Sequence, residues 1–176
     1  RLFTPDDATN DIMVVFGTGK YIETPDRSVT TTPPQYLMGL RDSLEGYTRY
    51  SLNDSRLVEQ IITETSEYRD LSSNLVSSEQ GWKVELPTSG ERMVNLIGRN
   101  NQSNIMTVIT IIPNGADPCL PGGQSWIMAI NSTTGGSLPN GGFFNGGESD
   151  GVFIDDLALG SNTITTPGGN TTIVNV

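Results

Sequence analysis

Two groups of acidic side chains come nearest to a metal site in this sequence. Calcium takes six to eight oxygen ligands, and an Asp-rich turn can supply several of them. The candidates are Asp6, Asp7, Asn10 and Asp11 near the start of the chain, and Glu148, Asp150, Asp155 and Asp156 after a glycine-rich stretch. The first group lacks the alternating ligand spacing around a central glycine that marks a calcium loop. We therefore favour solvent-exposed acidic turns at both places, with weak calcium sites as the alternative.

The other polar residues give little evidence of a catalytic site. Ser125 lies in Gly-Gly-Gln-Ser-Trp, which is not the Gly-x-Ser-x-Gly nucleophile motif. A Ser-His-Asp triad cannot form because the chain contains no histidine. Residues 17–20 lack the full phosphate-loop pattern and predict a tight turn after a strand. We expect no enzyme, no catalytic residues and no cofactor-binding residues, although a carboxylate pair for glycoside hydrolysis depends on tertiary distances and stays open.

The charge balance argues against nucleic-acid binding. Ten Lys and Arg residues stand against twenty Asp and Glu residues, giving a net charge of −10, whereas nucleic acids require a basic face. The longest apolar-rich run, residues 105–112, is much shorter than the roughly 20 residues of a membrane helix. We therefore expect no membrane insertion. The abundance of Gly, Thr, Ser and Asn is typical of turn-rich β proteins and of surfaces outside the cell.

Short apolar or alternating runs, separated by Gly, Pro and Asn, predict about ten strands and an all-β fold. The predicted strands are residues 12–16, 36–40, 56–65, 82–86, 93–97, 105–112, 126–130, 152–154, 163–166 and 171–176. The run at 12–16 is apolar at every position, as in a buried strand, and 82–86 alternates as in a half-buried strand. Helical patterns are poor. A sandwich, a barrel or a propeller would fit these strands.

Internal similarity favours the propeller. Three segments, near residues 36–46, 82–90 and 126–135, share an aromatic residue, apolar residues two and four positions later, and a glycine turn. Their spacing of about 45 residues is the size of one four-stranded blade. The sequence therefore predicts three to four antiparallel blades. Residues 1–176 would form a partial β-propeller domain whose partner is the remainder of a larger ring.

A long polar insertion, residues 41–80, separates the first two of these segments. It contains Tyr47, Tyr50 and Tyr68. Loops on rigid scaffolds often carry function, and tyrosine is enriched at interfaces. We favour a loop that packs on its own small cluster, with an interaction surface at these tyrosines as the alternative.

Four groups of residues follow one another between positions 14 and 136. They are residues 14–21 (Val-Val-Phe-Gly-Thr-Gly-Lys-Tyr), residues 36–42, residues 57–60 with 81–86 and 90–94, and residues 111–113 with 117–119 and 122–128. In this order they resemble the C-terminal β-propeller of the PilC/PilY family of type IV pilus tip proteins.

The resemblance implies a secreted, non-enzymatic adhesin and pilus-assembly module at the bacterial cell surface, on the pilus tip or the outer membrane. The implied partners are minor pilins at the pilus tip and a host-cell or surface receptor. Many members carry a calcium loop, which we would expect outside this chain. Cys119 is the single cysteine. The resemblance implies a disulfide to a partner outside this segment, with a buried unpaired thiol as the alternative.

Two other functions stay open at this stage. A quinoprotein-like propeller enzyme has strands of similar pattern, which residues 126–135 fit, although the chain shows no convincing cofactor pocket. A lectin-like glycan-binding propeller is the second alternative. Redox-cofactor absorbance in the purified protein would indicate the enzyme, and glycan binding without co-purified pilins would indicate the lectin.

Overall fold

The computed structural model confirms an all-β chain. It describes residues 1–5, 11–27, 29, 33–44, 49–78, 80–93, 98–99, 104–113, 123–139, 141–144, 147–154, 161–165 and 171–175. Within these ranges there is one short 3-10 helix, Thr24–Arg27, and the strands are β1 (Leu2–Phe3), β2 (Ile12–Gly17), β3 (Gln35–Asp42), β4 (Leu57–Gln60), β5 (Ile62–Glu64), β6 (Tyr68–Leu71), β7 (Gly81–Leu86), β8 (Gly98–Arg99), β9 (Ile105–Ile109), β10 (Ile112–Pro113), β11 (Gly123–Asn131), β12 (Gly151–Ile154), β13 (Ser161–Thr165) and β14 (Thr171–Asn175). No described helix is long and apolar enough to cross a membrane.

Five strands form the first sheet, in the order β1-β2-β3-β7-β4. The first four pair in antiparallel fashion, while β4 joins β7 in parallel. A parallel pair needs a long connection. Here the chain between β4 and β7 supplies β5 and β6 to the other sheet, so the polar insertion predicted at 41–80 contains three strands.

Seven strands form the second sheet, in the order β5-β6-β12-β11-β9-β8, with β10 beside β11. Its longest strand is β11, which has antiparallel partners on both sides. The strand predicted at 56–65 corresponds to β4 and β5, which are separated at Ile61 and belong to different sheets. A continuous stretch of chain therefore ties the two sheets together. The β13–β14 hairpin forms a third, two-stranded sheet.

The two large sheets share one hydrophobic core, because side chains from the inner face of each form a single buried cluster. The first sheet contributes Phe3, Met13, Val15, Leu37, Trp82, Val84 and Leu86, and the second contributes Leu71, Met106, Val108, Met128 and Ile130. Two packed sheets are found in β-sandwiches and in neighbouring propeller blades alike. The two sheets are not closed into a barrel, and the propeller itself stays a prediction.

The three aromatic segments do not all represent successive blades. Gly39 lies directly opposite Trp82, because β3 and β7 are antiparallel neighbours in one sheet. Equivalent strands of successive blades belong to different sheets, so the proposed equivalence of segments 36–46 and 82–90 was wrong. Segments 36–46 and 126–135 belong to different sheets, in which β3 and β11 each lie between two antiparallel partners. Their equivalence as blade repeats stays a prediction.

Trp82 fills the space between the two sheets. It is fully buried, and its indole Nε1 donates to the carbonyl of Ser132 at 3.2 Å. A Cβ added to Gly39 or to Gly135 would overlap the indole ring, and Gly135 also adopts a φ of +70°. Glycine at both positions lets the backbone of each sheet approach the ring closely. Trp82 therefore packs closely against the backbone at Gly39 and Gly135.

Candidate functional site

An apolar surface covers the side of the first sheet that faces away from the core. Its residues come from β1, β2 and β3 and occupy adjacent register rows: Leu2, Val14 and Leu40 in one row, and Phe16 and Met38 in the next. Leu2 is 62% exposed and Phe16 is 38% exposed, Val14 and Leu40 are partly buried, and Met38 is buried. We call these five residues the outer apolar face. Opposed side chains in such rows lie about 5 Å apart, so the face is continuous.

The outer apolar face is the uncovered half of a two-sided strand. The run at 12–16 is apolar at every position, a pattern found in strands buried on both faces. In the structure Met13 and Val15 are completely buried in the core, whereas Val14 and Phe16 point outward and stay partly exposed. Contiguous exposed apolar patches mark interaction surfaces. This face is therefore a candidate interaction surface.

The outer apolar face has a polar border on its β7 side. Lys83 follows Met38 in the same register row and lies beside Glu59 of β4. Lys83 Nζ is 3.4 Å from the Glu59 carboxylate and 3.3 Å from the Leu52 carbonyl. Interfaces commonly combine an apolar centre with such a polar rim.

A buried ionic cluster on the core side links β6 of the second sheet to the segment that follows β7. Arg69 of β6 donates from Nη1 and Nη2 to the two carboxylate oxygens of Glu91, each at 2.7 Å, and neither side chain is exposed. Arg69 also contacts Glu64 at 2.7 Å, and its guanidinium lies 4.0 Å from the ring centroid of Trp126. Thr110 donates to Glu91 at 2.5 Å. Because these charged and hydroxyl groups bind one another, the cluster fits a structural role rather than substrate binding.

Asp150 is the acidic candidate that the structure places most clearly. Its carboxylate accepts hydrogen bonds from the backbone N–H of Leu71 at 2.8 Å, from the Ser137 hydroxyl at 3.0 Å and from the backbone N–H of Leu138 at 3.4 Å. Burial raises the pKa of Asp150 above its ordinary value, although these hydrogen bonds oppose the rise. Donor hydrogens surround both oxygens, so Asp150 fits a structural role rather than a calcium ligand.

The remaining acidic candidates do not meet in a metal site. Asp11 forms an ion pair with Arg41 at 3.2 Å, and Glu148 is exposed. Among the residues that the structure describes, no three Asp, Glu, Cys or His side chains form a group that could hold a metal ion. The other candidates, which lie outside the described residues, are Asp6, Asp7, Asn10, Asp155 and Asp156.

The tyrosines of the polar insertion differ in their surroundings. The Tyr50 hydroxyl donates to the carbonyl of Arg41 at 2.8 Å, and the Arg56 guanidinium lies 4.5 Å from the Tyr50 ring centroid. Tyr50 is therefore engaged by its own chain. Tyr68 lies on the outward side of β6, partly buried opposite Val152 of β12. Tyr47 and Cys119 lie outside the described residues.

The turn after β2 borders a shallow depression of about 460 Å³, lined in part by Gly19, Lys20, Asp26 and Arg92. Lys20 pairs with Glu23 at 2.9 Å, and Arg92 donates to the Lys20 carbonyl at 2.7 Å. These cations are engaged by neighbouring oxygens. The short 3-10 helix Thr24–Arg27 comes after Gly19, and no α-helix follows it among the described residues.

The sequence alone did not reveal the ionic cluster or Gln60. The Gln60 side chain is buried and bridges β4 to two other segments, donating to the carbonyls of Asn74 at 2.8 Å and Thr134 at 3.0 Å. Neither Gln60 nor Arg69 lies in a motif, and Arg69 has Asp70 as its neighbour. From sequence alone, a charged side chain in a short strand is predicted to face solvent, and its burial becomes evident only when its partners are known.

Comparison with known proteins finds one distant similarity. The chain is 27% identical over 162 residues to a type IV pilus biogenesis factor PilY1 homolog from Xylella fastidiosa strain Temecula1. The alignment covers 84% of the chain but only 13% of that protein, so the chain spans a small part of its relative's length. No family model matches, and no solved structure matches. The similarity supports, at most, a distant relationship to type IV pilus biogenesis factors.

Proposed function

We propose that this chain is a partial β-propeller from a secreted, type IV pilus-associated protein, and that it acts by binding rather than by catalysis. The observation that carries the proposal is the similarity to a pilus biogenesis factor over 84% of the chain. The ordered groups of residues between positions 14 and 136 resemble the same family. In this proposal the module contributes to pilus assembly and adhesion at the pilus tip or outer membrane.

The geometry supports a module that is built into a larger protein. One propeller blade must be covered on both faces by its neighbours. The second sheet covers the inner face of the first, and Leu138 and Phe144 cover part of the outward side of the second. The outer apolar face remains partly exposed. We propose that another β-sheet of the same protein packs on it.

The remaining partners of the proposal follow from the resemblance. They are minor pilins at the pilus tip and a receptor on a host cell or other surface. By the same resemblance, calcium would be held by an Asp-rich loop elsewhere in the whole protein. No step of the proposed function depends on calcium bound by this chain.

The role in pilus biogenesis is tested in the bacterium that makes the protein. Deleting the protein should reduce both the number of surface pili and the adhesion of cells, and the wild-type protein should restore both. Unchanged piliation and adhesion would reject the proposal. Absorbance of a bound redox cofactor in the purified protein would favour the quinoprotein alternative instead.

The packing of a further sheet is tested by Leu2→Lys combined with Phe16→Lys in the whole protein. Both side chains are partly exposed in this chain, so the change is mild unless other protein covers them. Burial of an apolar side chain contributes about 1.5–3 kcal/mol, so we expect a loss above about 3 kcal/mol in denaturant unfolding. Leu75→Lys, at a side chain that is 94% exposed, is the matched control. Equal stability of the two variants would argue against a covering sheet.

A further inference from the structure

A second apolar surface lies on the outward side of the seven-stranded sheet. Tyr68, Val152, Ile127 and Ile109 are directly opposed on β6, β12, β11 and β9, and so form one register row. Three spacings of about 5 Å make this row roughly 15 Å long. Ile127 is buried, whereas the other three side chains are only partly buried. The row therefore has a covered centre and two accessible ends.

An exposed aromatic side chain extends this surface. Phe144 is buried in the cluster that includes Ile127, and Val152 packs against this cluster. Phe143 packs edge-on against Phe144, with ring centroids 5.3 Å apart, and remains 41% exposed. Tyr68, Val152 and Phe143 together are called the Tyr68–Phe143 patch.

The charges around the Tyr68–Phe143 patch have one sign. Glu67, Asp70 and Glu148 are all exposed. Arg69 is the one basic residue of β6, and it is buried in the core against Glu91. From residue 100 onward the chain contains no Lys or Arg, so neither β9, β11 and β12 nor the segment carrying Phe143 adds a basic side chain. The local potential is therefore negative.

We propose that the Tyr68–Phe143 patch docks a segment of a partner protein that is both basic and apolar. Binding energy at interfaces concentrates in aromatic anchors surrounded by a polar rim, and Tyr68 and Phe143 provide such anchors. Complementary charge fixes the partner's sign and speeds association. The acidic rim disfavours anionic membranes and nucleic acids. This inference rests on the proposed binding role and names the chemistry of one partner.

Binding is measured with a fluorescent 14-residue peptide of Lys, Leu and Ala, and with the same peptide carrying Glu in place of Lys. The purified whole protein should bind the Lys peptide at least tenfold more tightly than the Glu peptide. Added salt should weaken that binding. Tyr68→Ser and Phe143→Ser should each weaken it about fivefold or more, and Asp70→Asn with Glu148→Gln should reduce its salt dependence.

The matched control is Tyr36→Ser with Glu85→Gln. Tyr36 is also partly exposed and donates to Glu85 at 3.0 Å, but on the other sheet. This control should bind the Lys peptide like the wild type. Near-ultraviolet circular dichroism establishes that each variant is folded, and Phe143→Ser is the safest variant because its side chain is already exposed.

Equal binding of the Lys peptide to wild type and to folded Phe143→Ser would overturn the proposal. So would equal affinity for the Lys and Glu peptides, or preferential binding to phosphatidylglycerol vesicles. Peptide binding is measured on purified protein and piliation in cells, so the two failures are distinguishable. If deletion of the protein reduces piliation as expected but the Lys peptide does not bind, the docking proposal is rejected and the proposed pilus role is kept.

Discussion

The buried ion pair of Arg69 and Glu91 gives the sharpest test of how the two sheets are held together. Arg69 lies on β6 of the second sheet, and Glu91 follows β7 of the first. Both side chains are fully buried. Replacing Arg69 with Met leaves the Glu91 carboxylate between the sheets with the Thr110 hydroxyl as its remaining side-chain donor. A buried charge without its partner is expensive, because neither water nor an opposite charge compensates it.

The expected magnitude follows from this burial. Removing one member of a buried ion pair costs about 3–5 kcal/mol, and Arg69→Met should fall in this range. Glu91→Gln should cost less, because Glu64 still contacts the Arg69 guanidinium at 2.7 Å. Arg69→Met combined with Glu91→Gln removes both charges. It should therefore cost clearly less than the sum of the two single changes.

Urea unfolding of the four proteins measures these costs. With a slope of about 2 kcal/mol per molar, a loss of 4 kcal/mol moves the midpoint by about 2 M. The control is Lys20→Ala, which removes an exposed ion pair with Glu23 and should not move the midpoint measurably. A shift below about 0.5 M for Arg69→Met, or strict additivity in the double variant, would refute the argument that the pair locks the sheets.

Two further predictions concern the core and a buried acid. Gly39→Ala and Gly135→Ala should each destabilise the protein by about 1–3 kcal/mol or more in urea unfolding, because the added methyl overlaps the Trp82 ring. Gly98→Ala, whose nearest contact would be Thr107 at 3.5 Å, should be nearly neutral, and equal effects at all three positions would contradict this packing. For Asp150, burial raises the pKa in the native state, so its contribution to stability is fully present below the ordinary pKa of an aspartate and is lost as pH rises through the native pKa. The unfolding free energy of the wild type minus that of Asp150→Asn should therefore grow on acidification from about pH 7 to about pH 3, and a flat or falling difference would exclude a raised pKa.

Local patterns were sufficient to identify most strands but not to assign them to sheets. The runs at 12–16, 36–40, 82–86 and 126–130 lie within β2, β3, β7 and β11, because alternation and apolar content report which faces of a strand are buried. They do not report which strand lies alongside. The similar segments at Tyr36 and Trp82 were for this reason interpreted as separate blades, although they pair with each other.

The break at Ile61 shows the same limit. The stretch that contains Leu57, Val58 and Ile62 reads as one strand, since every residue suits an extended conformation. In the structure it leaves one sheet and enters the other at Ile61, whose side chain is exposed. Such a transfer depends on hydrogen bonds to distant partners, such as Ser72, which donates to the Ile61 carbonyl at 2.9 Å. No local signal encodes it.

The sequence was more informative about surfaces than about the interior polar groups. An apolar residue at every position of 12–16 indicated a strand covered on two sides, and the structure covers one of them. The apolar pattern of β2 calls for protein cover on both sides of the strand, and the described chain covers one side. The other side is the outer apolar face. For Arg69 the reverse holds, because a charge within a strand normally indicates solvent, and only tertiary partners reveal its burial.

The two outward surfaces differ in a way that predicts different partners. The outer apolar face is made of aliphatic side chains, Phe16 and a single Lys–Glu border pair, so its natural complement is another apolar sheet that stays in place. The Tyr68–Phe143 patch is smaller and aromatic, and its surrounding exposed charges are all acidic, which favours an exchangeable and salt-sensitive contact. On these two proposals, permanent assembly and reversible binding would take place on opposite sides of one core. The chain passes directly from β4 of one sheet to β5 of the other, and the Arg69–Glu91 pair links β6 to the segment that follows β7.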